Sequence, residues 1–223
     1  MAKTVKHKEL KSYFGDKDHL LVSQKSSFAQ LIFEMLSEKT PSENELKIFE
    51  LILNLSIDHG AETPSAVATI QASLDGKNIS ESVAAGILQI NSSHGGAIEP
   101  CMEILYSINN EQLPINNLVD EYLKDDKRMP GLGHRIYKDE DPRTKLIFEK
   151  MSEFNMDNKF INIARDLEKE MEAQKGKKLP LNIDAAIAVV LCTLGWDPKL
   201  SNAVFIIART PGLCAQYLNT LDK

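Results

Sequence analysis

Six ionisable residues stand where the surrounding sequence gives little reason for them. They are His59 in "SIDHGAETPS", His94 in "NSSHGGA", His134 and Arg143 in "GLGHRIYKDEDPR", Asp184 in "LNIDAA" and Arg209 in "IIARTPG". Five lie beside glycine or at the edge of an apolar segment. Arg209 lies inside one, where an unpaired charge would be costly. Singly, each has an ordinary structural explanation. A histidine before glycine commonly meets the last carbonyls of a helix. Asp184 could cap a helix, and Arg209 could pair with a structural carboxylate.

As a set they suit one chemistry. A partly desolvated carboxylate can take a proton from carbon, and neutral imidazoles can polarise a carbonyl or stabilise an enol. Arginines hold carboxylates through two parallel hydrogen bonds and fix their geometry. One acid, several imidazoles and two arginines therefore fit carbanion chemistry beside a dicarboxylate.

Other chemistries lack their residues. The histidines are not spaced as metal ligands on one helix face, as in H-E-x-x-H, so no metal is expected. "NSSHGG" lacks the glycine before serine that a nucleophile elbow requires. "GLGHRIYK" is neither G-x-G-x-x-G nor a phosphate-loop sequence. Cys101, Cys192 and Cys214 sit in apolar surroundings at spacings of no metal motif and read as small buried hydrophobes in a reducing compartment.

The elements that must position these groups are helices. Apolar residues make up 43% of the 223 and charged residues 26%, the balance of an ordinary folded globule with room for a sizeable core. A net charge of −6 argues against a broad nucleic-acid surface. No apolar run reaches the length of a membrane span, and the polar N-terminus is unlike a signal peptide, so a cytoplasmic protein is expected.

Helical periodicity runs nearly throughout. Ser26–Lys39 places Phe28, Leu31, Ile32, Met35 and Leu36 on one stripe. The segment after Pro41 and Ser42 runs apolar to a stop at Gly60. "TPSAVATIQASLDG" and "ISESVAAGILQINSS" are rich in small residues, suited to close helix packing. "NIDAAIAVVLCTLG" is apolar on all sides and should be buried. A kink or break is expected at Pro211. No alternating strand pattern and no internal repeat stand out, so the fold class is all-α.

The motifs "DHG", "HGGA", "GLGHRIYK" with "DPR", "NIDA" and "ARTPG", in that order from His59 to Gly212, resemble the citrate synthase superfamily. The stretch from "DHGAETPS" to "NSSHGGA" is most similar to citryl-CoA lyases and the lyase module of ATP-citrate lyase. The resemblance implies an all-α, two-domain dimer. Residues 1–97 and 196–223 would form a shortened large domain, and 98–195 a small CoA-binding domain.

By the motifs, His94 would stabilise the thioester enol(ate), and Asp184 would be the base at its methyl group. His134 would polarise the oxaloacetate carbonyl or, in reverse, take the hydroxyl proton of a citryl group. His59 would contact the dicarboxylate, with Arg143 and Arg209 clamping its carboxylates. Gly131, Leu132 and Gly133 would lie by the adenine and Lys138 by a CoA phosphate.

The implied reaction interconverts citryl-CoA with acetyl-CoA and oxaloacetate, with the CoA thioester as substrate and no permanent cofactor. The lyase direction is favoured over citrate formation, and an auxiliary CoA-binding role is the competing class. The family's further C-terminal arginine, donated to a partner subunit's site, has no counterpart after Arg209. A homodimer or higher homo-oligomer is expected, with a larger partner subunit as one source of the missing group.

Overall fold

A computed structural model describes residues 2–91 and 95–221. The chain forms two compact units, residues 1–51 and 52–223.

The first unit opens with a small antiparallel sheet, β1 (Val5–Lys8), β2 (Lys11–Phe14) and β3 (Lys17–Asp18), in the order β1-β2-β3. This departs from the expectation of helix alone, and the reason is legible. Val5 pairs with Phe14 and Lys8 with Lys11, so lysines fill positions where an alternating apolar pattern would have announced a strand. The turn between them uses Glu9 and Leu10, both at positive φ, rather than the Asn-Gly that marks a hairpin.

Helix α1 (His19–Lys25) follows, capped by Asp18, whose carboxylate accepts from Leu20 and Leu21 N–H. Helix α2 (Phe28–Ser37) starts at Ser27, which caps Gln30 N–H. Its buried face carries Ala29, Ile32 and Phe33, and Phe28, expected inward, is exposed. Phe33 instead supplies the aromatic contact, edge to face with Phe49 at 5.3 Å. The carboxylate of buried Glu34 lies 4.0 Å from Lys3 Nζ and 3.7 Å from Lys17 Nζ, which ties the sheet to α2.

Helix α3 (Glu43–Ser56) begins with a reciprocal pair: Glu45 N–H donates to Ser42 Oγ, and Ser42 N–H to Glu45 Oε2. It ends four residues before Gly60.

In the second unit, α4 (Pro64–Leu74) packs on α5 (Ile79–Ile87), and α11 (Ser201–Leu221) packs on both. Small residues make this possible: a Cβ at Gly86 would overlap Thr69 and lie 2.8 Å from Ser65 O. Asn78 and Glu81 form a capping box at the start of α5. Helices α6 (Ile98–Asn109), α7 (Ile115–Lys124), α8 (Pro142–Glu153) and α9 (Lys159–Lys175) surround α10 (Ile183–Thr193) or pack next to its neighbours.

Helix α10 is buried continuously from Ala185 to Cys192, as its unbroken apolar character predicts. Ile104, Leu118, Val119, Met129, Leu167 and Met171 form a core between α6, α7 and α9. Met129 therefore anchors the loop that leads to His134. Helix α11 runs through Pro211 without a break. Proline removes one amide donor, and the Thr210 hydroxyl donates to Ile206 O at 2.7 Å beside it.

Candidate functional site

The loop from Met129 to Asp141 is fixed at three places. Its start is buried at Met129. Its glycine segment pairs with the lead-in to α10: Leu132 bridges Leu181, Asn182 N–H donates to Gly131 O at 3.0 Å, and Gly133 N–H donates to Pro180 O at 2.8 Å. Its end is Asp141, the N-cap of α8, with Pro142 at the first helical position. Asn182 joins the first two levels. Its Oδ1 caps α10 by accepting from Asp184 and Ala185 N–H, and its Nδ2 donates to Gly133 O at 2.9 Å. One side chain thus sets Asp184 at the helix start against the His134 loop.

Gly131 and Gly133 both hold positive φ, +80° and +85°, which favours glycine. They differ in surroundings. A Cβ on Gly131 would stand 2.8 Å from Cys101 Sγ and 2.9 Å from Ala185 Cβ, so this glycine is demanded by the protein's own packing. At Gly133 the nearest atom is Leu179 Cδ2 at 3.8 Å, which leaves space.

His134 sits at the turn that follows. Its Nδ1 accepts from both Ile136 and Tyr137 N–H at 3.0 Å. An imidazole nitrogen that accepts carries no proton, so in the neutral ring the proton is on Nε2. Burial and the Arg143 charge lower the His134 pKa, which keeps the ring neutral. The Tyr137 ring stacks on it at 4.7 Å.

Arg143 stands at the centre of the cluster. Asp141, with no exposed surface, accepts from Arg143 N–H and Nε at 3.0 Å through Oδ1, and from Nη2 at 2.7 Å through Oδ2. Burial raises the Asp141 pKa, but the hydrogen bond and charge of Arg143 outweigh it and hold the carboxylate below its ordinary value. Arg143 Nη2 lies 3.2 Å from His134 Nε2, and Nη1 lies 3.4 Å from His59 Nδ1. The two imidazoles meet edge to face, their centres 5.9 Å apart. Desolvation, then Arg143, Arg209 and His134, lower the His59 pKa as well.

His59 owes its place to α11. Gly212 has no side chain where the backbone of Ile57 crosses, and a Cβ there would overlap Ile57 O. Arg209 Nε donates to Ser56 O at 2.8 Å. Arg209 is 4% exposed, its guanidinium lies 4.8 Å from the centre of the Phe205 ring, and its Nη1 has no hydrogen-bond partner among the described residues. Phe205 also fills the space a Cβ on Gly95 would need. The "HGGA" and "ARTPG" motifs thus meet on one aromatic ring, although His94 itself lies outside the described residues.

Asp184 completes the arrangement. Burial pushes its pKa up to about 6, against the opposing charges of Arg143 and Arg209. Lys138 is exposed, and its ammonium donates to His134 O at 3.1 Å and Arg135 O at 2.9 Å.

His59, His134, Arg143, Asp184 and Arg209 therefore come within electrostatic reach of one another, from four separate stretches of sequence. Sequence reasoning did not single out Asp141, Tyr137 or Asn182. Asp141 had a signal, since an acid directly before proline at a helix start marks an N-cap. Among the described residues no group of three or more His, Cys, Asp or Glu could hold a metal ion, and Cys101, Cys192 and Cys214 are unpaired thiols.

Comparison with known proteins follows the same line. An ATP-citrate synthase subunit 1 of Neurospora crassa, named as probable, is 31% identical over 189 residues, covering 78% of this chain and 28% of its own length. A citrate synthase of Synechocystis is 30% identical over 215 residues, covering 92% of this chain and 52% of its own. The chain thus spans at most about half the length of these relatives. The solved structure of citryl-CoA lyase from Hydrogenobacter thermophilus superposes with a TM-score of 0.91 at 36% identity, over 99% of this chain and 86% of that one. The sequence model described as citrate synthase, C-terminal domain, matches residues 2–223, and the chain belongs to the citrate synthase family.

Proposed function

We propose that the protein is a carbon–carbon lyase of CoA thioesters that interconverts citryl-CoA with acetyl-CoA and oxaloacetate. The observation that carries this reading is the pair of donors at the centre of the site. His134 Nε2 and Arg143 Nη2 lie 3.2 Å apart, and with Nδ1 committed to two backbone amides both are N–H groups. Two converging donors suit one shared oxygen on which negative charge collects, such as the carbonyl of oxaloacetate or a carboxylate beside it. Nη1 of Arg209, without a partner among the described residues, is a further buried donor suited to a carboxylate.

In the condensing direction Asp184, its affinity for a proton raised by burial, takes one from the acetyl methyl group. The enolate carbon then attacks the oxaloacetate carbonyl, whose oxygen is held by His134 Nε2–H and Arg143 Nη2 and, as it gains negative charge, takes the His134 Nε2 proton to become the citryl hydroxyl. Cleavage is the reverse of these steps on the same groups. His94 is assigned to the thioester enol(ate) by its motif alone.

The nucleotide end is proposed at Gly133 and Lys138. Both polar backbone groups of Gly133 are engaged, so its part is to admit close approach. Lys138 has one ammonium donor left after its two carbonyls. Gly131 contributes packing beneath the loop, and Leu132 its pairing with Leu181. Residues 98–195 are thus proposed as the CoA-handling part.

The lyase direction is favoured because the citryl-CoA lyase of Hydrogenobacter matches nearly end to end. The Synechocystis citrate synthase, similar over half its length, supports the condensing direction as the second reading. A homo-oligomer, joined by a larger partner chain of the kind that a numbered subunit name suggests, belongs to the proposal. So does a cytoplasmic setting, supported by the unpaired thiols.

Oxaloacetate release, followed by its reduction with NADH in a coupled assay, tests the reading, since cleavage leaves CoA in a thioester and frees no thiol. Citryl-CoA should be cleaved to acetyl-CoA and oxaloacetate by the purified protein, and Asp184→Ala should remove nearly all turnover. No turnover of citryl-CoA, nor of acetyl-CoA with oxaloacetate, while CoA still binds would leave the auxiliary role.

A further inference from the structure

We infer that Asp141 is a positioning residue: it grips the inner edge of the Arg143 guanidinium so that the outer edge is presented to His59, His134 and a substrate carboxylate. The inference deepens the reading above and rests on it for the identity of the substrate.

The argument begins with the five N–H donors of a guanidinium. Asp141 takes Nε and one hydrogen of Nη2. The remaining Nη2 hydrogen and both Nη1 hydrogens are on the side where His134 Nε2 and His59 Nδ1 lie, at 3.2 and 3.4 Å. The Tyr137 ring, 5.9 Å from the guanidinium carbon, borders the same group. The arrangement is local and cheap to specify. Asp141 and Arg143 are two residues apart, Pro142 fixes the backbone between them, and the helix start sets both Cα positions.

A plain helix cap does not account for it. Serine caps a helix as well as aspartate, and a carboxylate with no exposed surface carries a desolvation cost that capping alone does not require. The bidentate hold on Arg143 is what offsets that cost.

Two variants separate capping from tethering. In Asp141→Ser the hydroxyl can still accept from Arg143 N–H, but the guanidinium loses its partner. Asp141→Asn keeps the shape and loses the charge, and serves if the serine protein is unstable. The activity-independent readout is the titration of His59 and His134 by NMR. Arg143 lowers the pKa of each histidine more strongly than Asp141 raises it.

If Asp141 holds Arg143, removing it releases the arginine, and both histidines titrate at higher pH. If Arg143 keeps its place without Asp141, only the carboxylate's charge is lost and both titrate at lower pH. A fall, or no movement, overturns the inference. Turnover supplies the second arm: the KM for oxaloacetate should rise by about 30-fold or more, with the KM for acetyl-CoA unchanged. A wild-type protein that turns over neither substrate pair would refute the proposed reaction and leave the titration result standing.

Discussion

His134 Nε2 and Arg143 Nη2 stand 3.2 Å apart as two donors without an acceptor between them, because the histidine's other nitrogen is committed to the amides of Ile136 and Tyr137. Asp141 supplies the counter-charge from behind, accepting from the same Nη2 at 2.7 Å. Arg143→Lys keeps one charge and loses the fork. It should weaken oxaloacetate binding by about 30-fold to 5000-fold, the range for breaking a buried charged pair, with CoA affinity unchanged. Calorimetric titration of each ligand checks this, and equal losses for both would place Arg143 outside the dicarboxylate subsite.

Asp184 makes a pH prediction with a definite sign. Its pKa is raised from the ordinary 3.8 to about 6. A raised carboxyl favours the protonated form in the fold, so its contribution is fully present below about pH 4 and is lost as pH rises through 6. Asp184→Asn, neutral at every pH, should therefore melt close to the wild type at pH 4 and above it at pH 7.5. Thermal unfolding at the two values checks the difference. In the condensing direction kcat/KM should climb with pH through about 6, as the base becomes ionised.

Much of this was legible in the sequence because the chemistry is carried by residues that helices rarely spend without cause. Arg209 inside an apolar run, and His59 and His134 beside glycine, drew attention in the sequence to residues that the fold brings near one another. The burial of α10 followed from its composition. What could not be read was where tertiary contacts decide. Gly131 looks like a ligand-facing glycine in the sequence, but Cys101 and Ala185 take its space, and neither neighbours it in sequence. The cap of α10 is Asn182 rather than Asp184, and its second bond, to Gly133 O, exists only once two distant segments meet. The N-terminal sheet was hidden by its own lysines, and α11 continues through Pro211 despite the one amide donor lost there.

Gly212 ties fold to site in a way a single methyl group can test. Its missing Cβ is the space through which Ile57 crosses α11 on the way to His59. Gly212→Ala should destabilise the protein by about 1–3 kcal/mol, the usual cost of overpacking, even though alanine is the better helix former. It should also raise the KM for oxaloacetate, because the turn bearing His59 must shift. Denaturant unfolding and steady-state kinetics on the same preparation check both. Alanine tolerated on both counts would show that the 56–60 turn takes its position from elsewhere.

Arg209 offers the sharpest separation of stability from function. Its guanidinium is almost wholly buried, and one nitrogen lacks a partner among the described residues. Burial pushes its pKa down while Asp58 and Asp184 oppose the shift, so the charge is held at a cost. Arg209→Met keeps the apolar stem against Phe205 and removes that cost, at the loss of the single bond to Ser56 O. Replacing a poorly compensated buried ion by an apolar residue of similar volume is commonly neutral or stabilising. The variant should melt at or above the wild-type temperature in the absence of ligand, bind oxaloacetate at least about 30-fold more weakly, and gain little thermal protection when oxaloacetate is added. Thermal unfolding with and without ligand reads all three. A variant that melts well below the wild type and keeps its ligand-induced gain would make Arg209 a structural residue, and the carboxylate clamp would rest on Arg143 alone.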